Sequence, residues 1–190
     1  DKAEVFHTTV AKGLFLCKRS RPDIQTTIAF LCTRVKEPDV DDWKKLLRLL
    51  NYLKDTIELE TTLEADNTNI AKWYADAAFA VHPDMRSHTG GVMTLGKGAV
   101  QTISTKQKIN TTSSTEAELV GADDVLSYIL WTKWFLEEQG YDMKDNILYQ
   151  DNTSTMYLEK YSKERSSRRT CHINIKYFLL LIVSKKKSTR

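Results

Sequence analysis

Residues 70–119, IAKWYADAAFAVHPDMRSHTGGVMTLGKGAVQTISTKQKINTTSSTEAEL, decide the fold of this chain. Three apolar stretches in this segment, at 70–81, 87–95 and 99–104, read as strands because turn residues and short connections separate them. The turn signal Gly96-Lys97-Gly98 lies between the second stretch and the third. Consecutive strands with short connections pair with one another, so the sequence predicts an antiparallel meander.

A long helix is predicted directly after the meander. Residues 113–116, Ser-Ser-Thr-Glu, have the pattern of a capping box, with Ser113 as the cap and Glu116 three residues later. Gly140 is expected to end this helix, since glycine commonly follows a last helical turn. Its apolar face is predicted at helical spacing and consists of Leu119, Ala122, Leu126, Ile129, Leu130 and Trp134.

The chain after Gly140 predicts one more strand and then helices. Residues 146–150, Asn-Ile-Leu-Tyr-Gln, indicate a short buried strand, and the turn at 151–153 leads into a helix near 154–160. A basic, serine-rich loop follows at 164–170, and a last helix is predicted over 170–183. The order of three strands, helix, strand and helices indicates an α/β domain.

The first 60 residues predict helices and little sheet. Pro22-Asp23 has the composition of a helix start, and a further helix is expected to begin with Asp41 or Asp42 as its cap. The apolar face of that further helix is predicted to consist of Trp43, Leu46, Leu47, Leu50 and Leu53. Because so small a helical unit leaves part of this face uncovered, we expect it to mark a docking surface for a missing partner.

A polar stretch at 58–69 predicts a domain boundary, which divides the chain into a helical unit at 1–66 and an α/β domain at 67–190. A chain of 190 residues with 41% hydrophobic residues can bury a core without disulfides, and its three scattered cysteines do not form a zinc pattern. The longest strongly apolar run has seven residues, whereas a membrane helix needs about 18, so no membrane association is expected. Without an initial Met or a signal peptide, the chain is expected to be a piece of a longer intracellular protein.

Charge is distributed unevenly along the chain. The formal net charge is +3, yet residues 159–190 contain ten Lys or Arg and only two Glu, which leaves the preceding part net acidic. A basic end on an acidic body indicates contact with a polyanion such as a nucleic acid. A solvated basic tail is the alternative interpretation.

Three carboxylates occupy positions at which a metal site could form. Asp76 lies inside an apolar strand, where an uncompensated charge is costly, and Asp151 lies at the exit of another strand. Glu118 lies on the first turns of the long helix, beside its apolar face. Carboxylates from two strands and a helix can converge on one point, and an all-oxygen cluster suits Mg²⁺ or Mn²⁺. Taken singly, each of them is more often a surface or capping residue.

The motifs around these carboxylates resemble one family. Four blocks occur in order, Tyr-Ala-Asp-Ala at 74–77, Asp-Met-Arg-Ser-His-Thr-Gly-Gly at 84–91, Ser-Ser-Thr-Glu-Ala-Glu-Leu at 113–119 and Tyr-Gln-Asp-Asn at 149–152, and Arg-Thr-Cys-His-Ile-Asn-Ile-Lys-Tyr-Phe follows at 169–178. Together they closely resemble the ribonuclease H domain of copia-type retrotransposon polyproteins. The upstream blocks at 21–24, 42–45 and 49–56 resemble the segment that joins the reverse transcriptase to this domain.

The resemblance implies a fold and a function. The fold would be α/β, a ribonuclease H-like mixed sheet of five strands flanked by helices and preceded by a small helical segment. The function would be hydrolysis of the RNA strand of RNA·DNA hybrids with two Mg²⁺ (or Mn²⁺) ions. Asp76 would bridge both ions, Glu118 would lie on the side of the leaving 3′-oxygen, and Asp151 would orient the attacking water. The implied partners are the hybrid and the reverse transcriptase domain of the same polyprotein, in a retrotransposon particle in the cytoplasm or nucleus.

Basic side chains are the candidates for holding the phosphates of the hybrid. The candidates for nucleic-acid binding are Arg86, Lys106, Lys108, Arg168, Arg169 and His172. A solvated surface charge is the alternative for Lys106, Lys108, Arg168 and Arg169, and an ordinary place on a helix surface is the alternative for His172.

One position departs from the family pattern. The family often has His-Ile-Asp-Ile where this chain has His-Ile-Asn-Ile at 172–175, and no Asp or Glu occurs after Glu164. Asn174 is therefore the candidate for the fourth catalytic position, although a neutral amide oxygen holds Mg²⁺ less well than a carboxylate does. Two hypotheses follow: an active ribonuclease H, or a catalytically weakened or inactive nucleic-acid-binding remnant of a decayed element.

Overall fold

The first part of the chain is helical in the computed structural model, which describes residues 2–151. Helix α1 spans Lys2–Arg19, a short 3-10 helix at Pro22–Ile24 leads into α2 at Gln25–Cys32, and α3 spans Val40–Asp55. Proline fits the first turn of a helix because its missing N–H would have no partner there. The helical prediction for the first 60 residues and the helix start at Pro22 are thus confirmed.

These helices share one apolar cluster. Arg21, only 8% exposed, ties the end of α3 to the turn before α2, since it pairs with Asp23 at 2.7 Å and donates to the Thr56 carbonyl oxygen at 2.9 Å. The buried members of the cluster are Phe6, Val10, Cys17, Ile24, Ile28, Leu31, Leu46 and Leu49.

The start of α3 differs from the prediction, because Asp39 caps it rather than Asp41 or Asp42. The Asp39 carboxylate accepts the Asp42 N–H at 2.8 Å, and the Asp42 carboxylate accepts the Asp39 N–H at 3.1 Å. Asp42 is 1% exposed and is neutralised by Arg34 at 2.9 Å. Asp42, one of the two expected caps, is therefore the third residue of a reciprocal capping box that Asp39 begins.

The buried face of α3 is also rotated relative to the predicted one. Leu46 and Leu49 are buried, whereas Leu47 and Leu50 are 59% and 43% exposed. The helix turns about 100° per residue, so choosing Leu49 in place of Leu50 as the inward residue moves the whole face. Two of the five predicted face residues consequently remain on the surface.

A mixed four-stranded sheet follows the helices and consists of β2 at Ile70–Ala78, β3 at His88–Thr94, β5 at Gln101–Lys106 and β6 at Asp145–Tyr149. Across the sheet these strands lie in the order β5-β3-β2-β6. Antiparallel pairing joins β2 to β3 and β3 to β5, which confirms the predicted meander, and β6 is parallel to β2.

A second, two-stranded sheet was not predicted. Glu64–Ala65, strand β1, pairs antiparallel with Gly96–Lys97, strand β4. The Gly96-Lys97 pair expected as a turn is thus a short strand. A side chain at Gly96 would collide with the backbone of the partner strand, since a Cβ there would lie 2.4 Å from the Glu64 carbonyl oxygen.

Helix α4, Ser114–Glu138, covers one face of the main sheet. Ser113 caps it by accepting the Glu116 N–H at 3.2 Å, as predicted. The Glu116 carboxylate accepts from the N–H and hydroxyl of Thr112 rather than from the Ser113 N–H, so only half of the expected box forms. The helix approaches β2 closely at Gly121, where a Cβ would lie 3.2 Å from that of Ala77.

The core between α4 and the sheet is centred on Trp73, which is fully buried. Trp134, predicted on the buried face of α4, is 60% exposed, because it lies about 140° around the helix from the buried Ile129. The buried residues of this cluster are Ala71, Trp73, Ala75, Met93, Ile103, Val125 and Ile129, with Ala122 and Leu126 in an adjoining cluster.

The helices contact the sheet at β5. The Gln25 side chain donates to the Thr102 carbonyl oxygen at 3.2 Å and accepts from the Thr102 hydroxyl, and Lys18 donates to the same carbonyl at 3.3 Å. The division into 1–66 and 67–190 stays a prediction. The elements predicted after Asp151, and the fifth strand that the resemblance implies there, lie outside the described residues.

Between residues 2 and 151, no helix is both long enough and apolar enough to cross a membrane.

Candidate metal centre

The structure brings the three predicted carboxylates together. Asp76 lies near the end of β2, Glu118 on the second turn of α4, and Asp151 two residues after β6. Because β2 and β6 are parallel, their carboxyl ends meet at the same edge of the sheet. One oxygen atom from each of the three side chains lies within 4.8 Å of the others.

The early end of β6 lets the carboxylates meet. The pairing of β6 with β2 stops at Tyr74, so the last residues of β2 have a free edge on this side. Asp76 points away from α4, since Ala77 beside it contacts Gly121 of that helix and side chains alternate along a strand. Glu118 reaches round the free edge and accepts a hydrogen bond from the Ala77 N–H. The centre therefore lies at the edge of the sheet rather than on one of its faces.

Gln150 orients Glu118. Its side-chain amide donates to the Glu118 Oε2 atom and to the Glu118 carbonyl oxygen, both at 3.3 Å. Sequence reasoning missed this role, although Gln150 directly precedes Asp151 in the Tyr-Gln-Asp-Asn block. The amide fixes the carboxylate without neutralising it, so the negative charge stays available to a cation.

Electrostatics at the centre favour a cation. Glu118 is 8% exposed, and its burial raises the pKa of its carboxyl group above the usual value. The charges of Asp76 and Asp151 raise that pKa further, while the hydrogen bonds from Gln150 and Ala77 lower it. A cluster of mutually repelling carboxylates with only oxygen donors fits Mg²⁺ or Mn²⁺, because a cation would remove the repulsion.

Replacement of Glu118 by Gln is expected to stabilise the metal-free chain by about 1 kcal/mol at pH 7 and to weaken Mn²⁺ binding. A carboxyl group with a raised pKa keeps its proton up to a higher pH in the folded chain than in the unfolded one. Stability therefore falls as the pH rises above the unfolded value of 4.5. Urea unfolding in EDTA at pH 4 and pH 7 tests this, since the gain should appear only at pH 7.

Glu116→Gln is the matched control for that measurement. Glu116 lies on the same helical turn but bonds Thr112 at the cap, so this variant is expected to keep Mn²⁺ affinity and to gain no stability at pH 7. Equal stabilities of the wild type and Glu118→Gln at both pH values would show that the buried charge of Glu118 does not destabilise the metal-free chain.

The basic candidates are placed differently from the carboxylates. Lys106 and Arg86 both approach Asp84 in the loop between β2 and β3, at 2.7 Å and 3.4 Å, so each has an acidic neighbour. Lys108 is exposed just after β5. Their contact with nucleic acid stays a prediction. The candidates Arg168, Arg169, His172 and Asn174 lie outside the described residues.

The mixed sheet with helices packed on it places the described chain in the α/β class, with a ribonuclease H-like fold. None of the known protein-family models matches the chain. The chain nevertheless belongs to the family of retrovirus-related Pol polyproteins of copia-type transposons, as its similarity to individual members shows.

Two of these relatives are from plants. The Pol polyprotein from transposon TNT 1-94 of Nicotiana tabacum is 30% identical over 173 residues, which is 90% of this chain and 13% of the relative. That from transposon RE2 of Arabidopsis thaliana is 32% identical over 141 residues, or 73% of this chain and 10% of the relative. The chain thus spans only about a tenth of these polyproteins.

Proposed function

We propose that the chain is a metal-dependent endonuclease region that hydrolyses the RNA strand of RNA·DNA hybrids during reverse transcription of a retrotransposon. The convergence of Asp76, Glu118 and Asp151 at one edge of a ribonuclease H-like sheet carries this proposal. The relationship to retrovirus-related Pol polyproteins supports it. The 2′-hydroxyl of RNA would distinguish the cleaved strand from DNA.

The reaction is an in-line displacement at phosphorus. The oxygen of water loses a proton and forms a bond to phosphorus as the bond to the 3′-oxygen breaks, and the 3′-oxygen takes up a proton and leaves as a hydroxyl. Mg²⁺ or Mn²⁺ held by the three carboxylates would supply an activated water and neutralise charge in the transition state.

The family resemblance implies a role for each of the three carboxylates, and the surroundings of Glu118 and Asp151 are compatible with those roles. Asp76 would hold both metal ions. Glu118, buried and held by Gln150, is assigned to the side of the leaving 3′-oxygen. Asp151 is exposed at the strand end, so it has access to solvent and is assigned to orienting the attacking water.

Incubation of the full chain with end-labelled RNA·DNA hybrid and Mg²⁺ or Mn²⁺ tests the function. We expect shortened RNA, no cleavage of the matching DNA duplex, and no reaction in EDTA. If the folded chain bound Mn²⁺ but left the hybrid intact in both metals, the enzymatic function would be wrong for this sequence.

The second candidate function is binding of the hybrid without efficient cleavage. The departure that favours it is Asn174, which stands where the family often has an aspartate. A site with one anion fewer holds its more exposed metal ion less tightly, which predicts slow hydrolysis in Mg²⁺ and partial recovery in Mn²⁺.

Asn174→Asp distinguishes the two candidates. We expect it to raise single-turnover cleavage several-fold or more, with unchanged affinity for the hybrid, because it adds an anionic ligand to the site. Asn174→Ser is the control, since it changes the side chain without adding charge. Equal rates for the wild type and Asn174→Asp, with intact folding and binding, would show that Asn174 is not the missing ligand.

The proposed protein partner is the reverse transcriptase domain of the same polyprotein, within a retrotransposon particle in the cytoplasm or nucleus. Large apolar side chains remain exposed on the helical segment, among them Phe15, Leu47 and Ile57 at 67%, 59% and 73%. Exposed apolar surface of this kind is typical of a site that another protein covers, and a polyprotein supplies such a neighbour in the same chain.

A further inference from the structure

Three side chains beside the candidate metal centre form a series of hydrogen bonds. His82 Nε2 lies 3.0 Å from His88 Nδ1, and His88 Nε2 lies 2.8 Å from the Ser104 hydroxyl oxygen. His82 belongs to the loop after β2, His88 begins β3, and Ser104 lies on β5. This series of hydrogen bonds thus links the turn at one end of the sheet to a side chain on the face opposite α4.

Strand register places Ser104 in the same row as Asp76. Asp76 pairs with Gly90 and Gly90 pairs with Ser104, so the three residues lie side by side on adjacent strands. Strands lie about 4.8 Å apart, which separates the backbones of Asp76 and Ser104 by about 10 Å. Because Gly90 has no side chain, nothing from the middle strand fills the space between them.

The space over Gly90 is part of a groove of about 290 Å³ on the sheet face opposite α4. Asp76 and Ser104 line it together with Tyr74, and Gln25 of α2 forms its far wall. Because Asp76 belongs both to the metal centre and to the lining of this groove, a strand of nucleic acid bound at the centre can extend into the groove.

The positions of the protons follow from burial. His82 is 4% exposed, and within residues 2–151 its Nδ1 atom has no hydrogen-bond partner. A proton on that atom would be a buried donor without an acceptor, which is costly, so the proton resides on Nε2 and is donated to His88 Nδ1. His88 then carries its own proton on Nε2 and donates it to the Ser104 oxygen.

Both imidazoles are neutral at pH 7, as this arrangement requires. Burial lowers the pKa of His82, and the charge of Lys106 lowers it further while Asp84 opposes the change. Burial also lowers the pKa of His88, with His82 as the second cause. One lone pair of the Ser104 oxygen accepts from His88, and the hydroxyl hydrogen can then be donated into the groove.

We propose that Ser104, oriented by His88 and His82, binds a phosphodiester oxygen of the nucleic-acid strand next to the metal centre. The inference rests on the proposed function, which brings such a strand to Asp76. An anionic oxygen is the ligand that a single half-buried O–H donor in this position favours most, since hydrogen bonds to charged acceptors are the stronger ones.

Hybrid affinity measured in EDTA tests the proposal without any cleavage. Ser104→Ala is expected to weaken binding of an RNA·DNA hybrid about tenfold, the effect of losing one hydrogen bond to a charged group. Ser104→Thr, which restores the hydroxyl, should bind like the wild type. Thr105→Val, one residue along on the opposite face of β5, is the matched control and should leave affinity unchanged.

Salt dependence and histidine tautomers give two further readouts. Ser104→Ala should lower affinity without changing its slope against salt, whereas removal of a phosphate-binding lysine would reduce that slope by about one. Nitrogen NMR of the free chain should show the Nε2–H tautomer for both His82 and His88. The signals of His88 are assigned by their loss in the His88→Gln variant.

The outcomes separate this proposal from the function on which it rests. Wild-type affinity in Ser104→Ala, or an Nδ1–H tautomer at His88, would overturn the role of Ser104 and leave the proposed function intact. Failure of the folded wild type to bind the hybrid would overturn both.

Discussion

Asp76→Asn is expected to reduce Mg²⁺-dependent cleavage of an RNA·DNA hybrid about a thousandfold or more. Metal ions contribute several kcal/mol to phosphoryl-transfer transition states, and each 1.4 kcal/mol corresponds to about a factor of ten in rate. The Asn amide keeps the size of the Asp76 carboxylate but removes its negative charge, which leaves only the charges of Glu118 and Asp151 at the centre. Since Asp76 is exposed and faces Gly90, folding stability should change by less than about 0.5 kcal/mol.

Single-turnover cleavage, urea unfolding and Mn²⁺ titration together check this expectation. Asp84→Asn is the matched control, because Asp84 is also an exposed aspartate beside the sheet but pairs with Lys106 at 2.7 Å. This control should keep Mn²⁺ binding and most of the activity. Cleavage by Asp76→Asn within tenfold of the wild type would show that Asp76 does not belong to the catalytic centre.

Local sequence signals predicted most of the described elements. The meander followed from apolar stretches and turn residues, and the cap of α4 followed from Ser113 and Glu116. These signals act between residues close in sequence, so a single chain contains them. The short pair of β1 and β4 was missed because it joins segments about 30 residues apart, and neither segment is apolar enough to indicate a strand.

The sequence predicted which carboxylates form the candidate centre, but not where on the sheet they meet. Asp76 could be selected as a charge inside an apolar strand, Asp151 as a strand exit and Glu118 as a residue on the first turns of a helix, and the family resemblance supported the set. That they meet round the free edge of β2 depends on where β6 stops, which periodicity cannot give. Gln150 was missed for the same reason, since its contact with Glu118 exists only in the folded chain.

Polar side chains inside the domain were the least predictable. Gln107 is 1% exposed and donates to the Ala117 carbonyl oxygen at 2.9 Å and to the Thr89 hydroxyl at 3.1 Å. Thr89 in turn donates to Asp124 at 2.9 Å. In sequence these residues look like ordinary surface positions of strands and helices. In the structure they fasten the first turns of α4 to β3 and so hold Glu118 at its distance from the sheet.

Gly121→Val is expected to destabilise the chain by about 2–3 kcal/mol and to weaken Mn²⁺ binding at least tenfold. A Cβ at this position would already lie 3.2 Å from the Ala77 Cβ, and two Thr89 side-chain atoms lie 3.7 Å away. Further methyl groups must push α4 off β2 at a point less than one turn from Glu118. The hydrogen bonds from Gln107 oppose this movement, so strain as well as displacement results.

Urea unfolding and Mn²⁺ titration of three variants separate the effect of spacing from that of side-chain type. Gly121→Ala adds only the first carbon, so it should fall between the wild type and Gly121→Val in metal affinity. Ser127→Val introduces the same β-branched side chain at an exposed position of α4, where helix propensity costs at most about 0.5 kcal/mol. Its Mn²⁺ affinity should equal that of the wild type, because it lies outside the contact with β2. If Gly121→Val bound Mn²⁺ as tightly as Ser127→Val, the spacing between α4 and β2 would not control the position of Glu118.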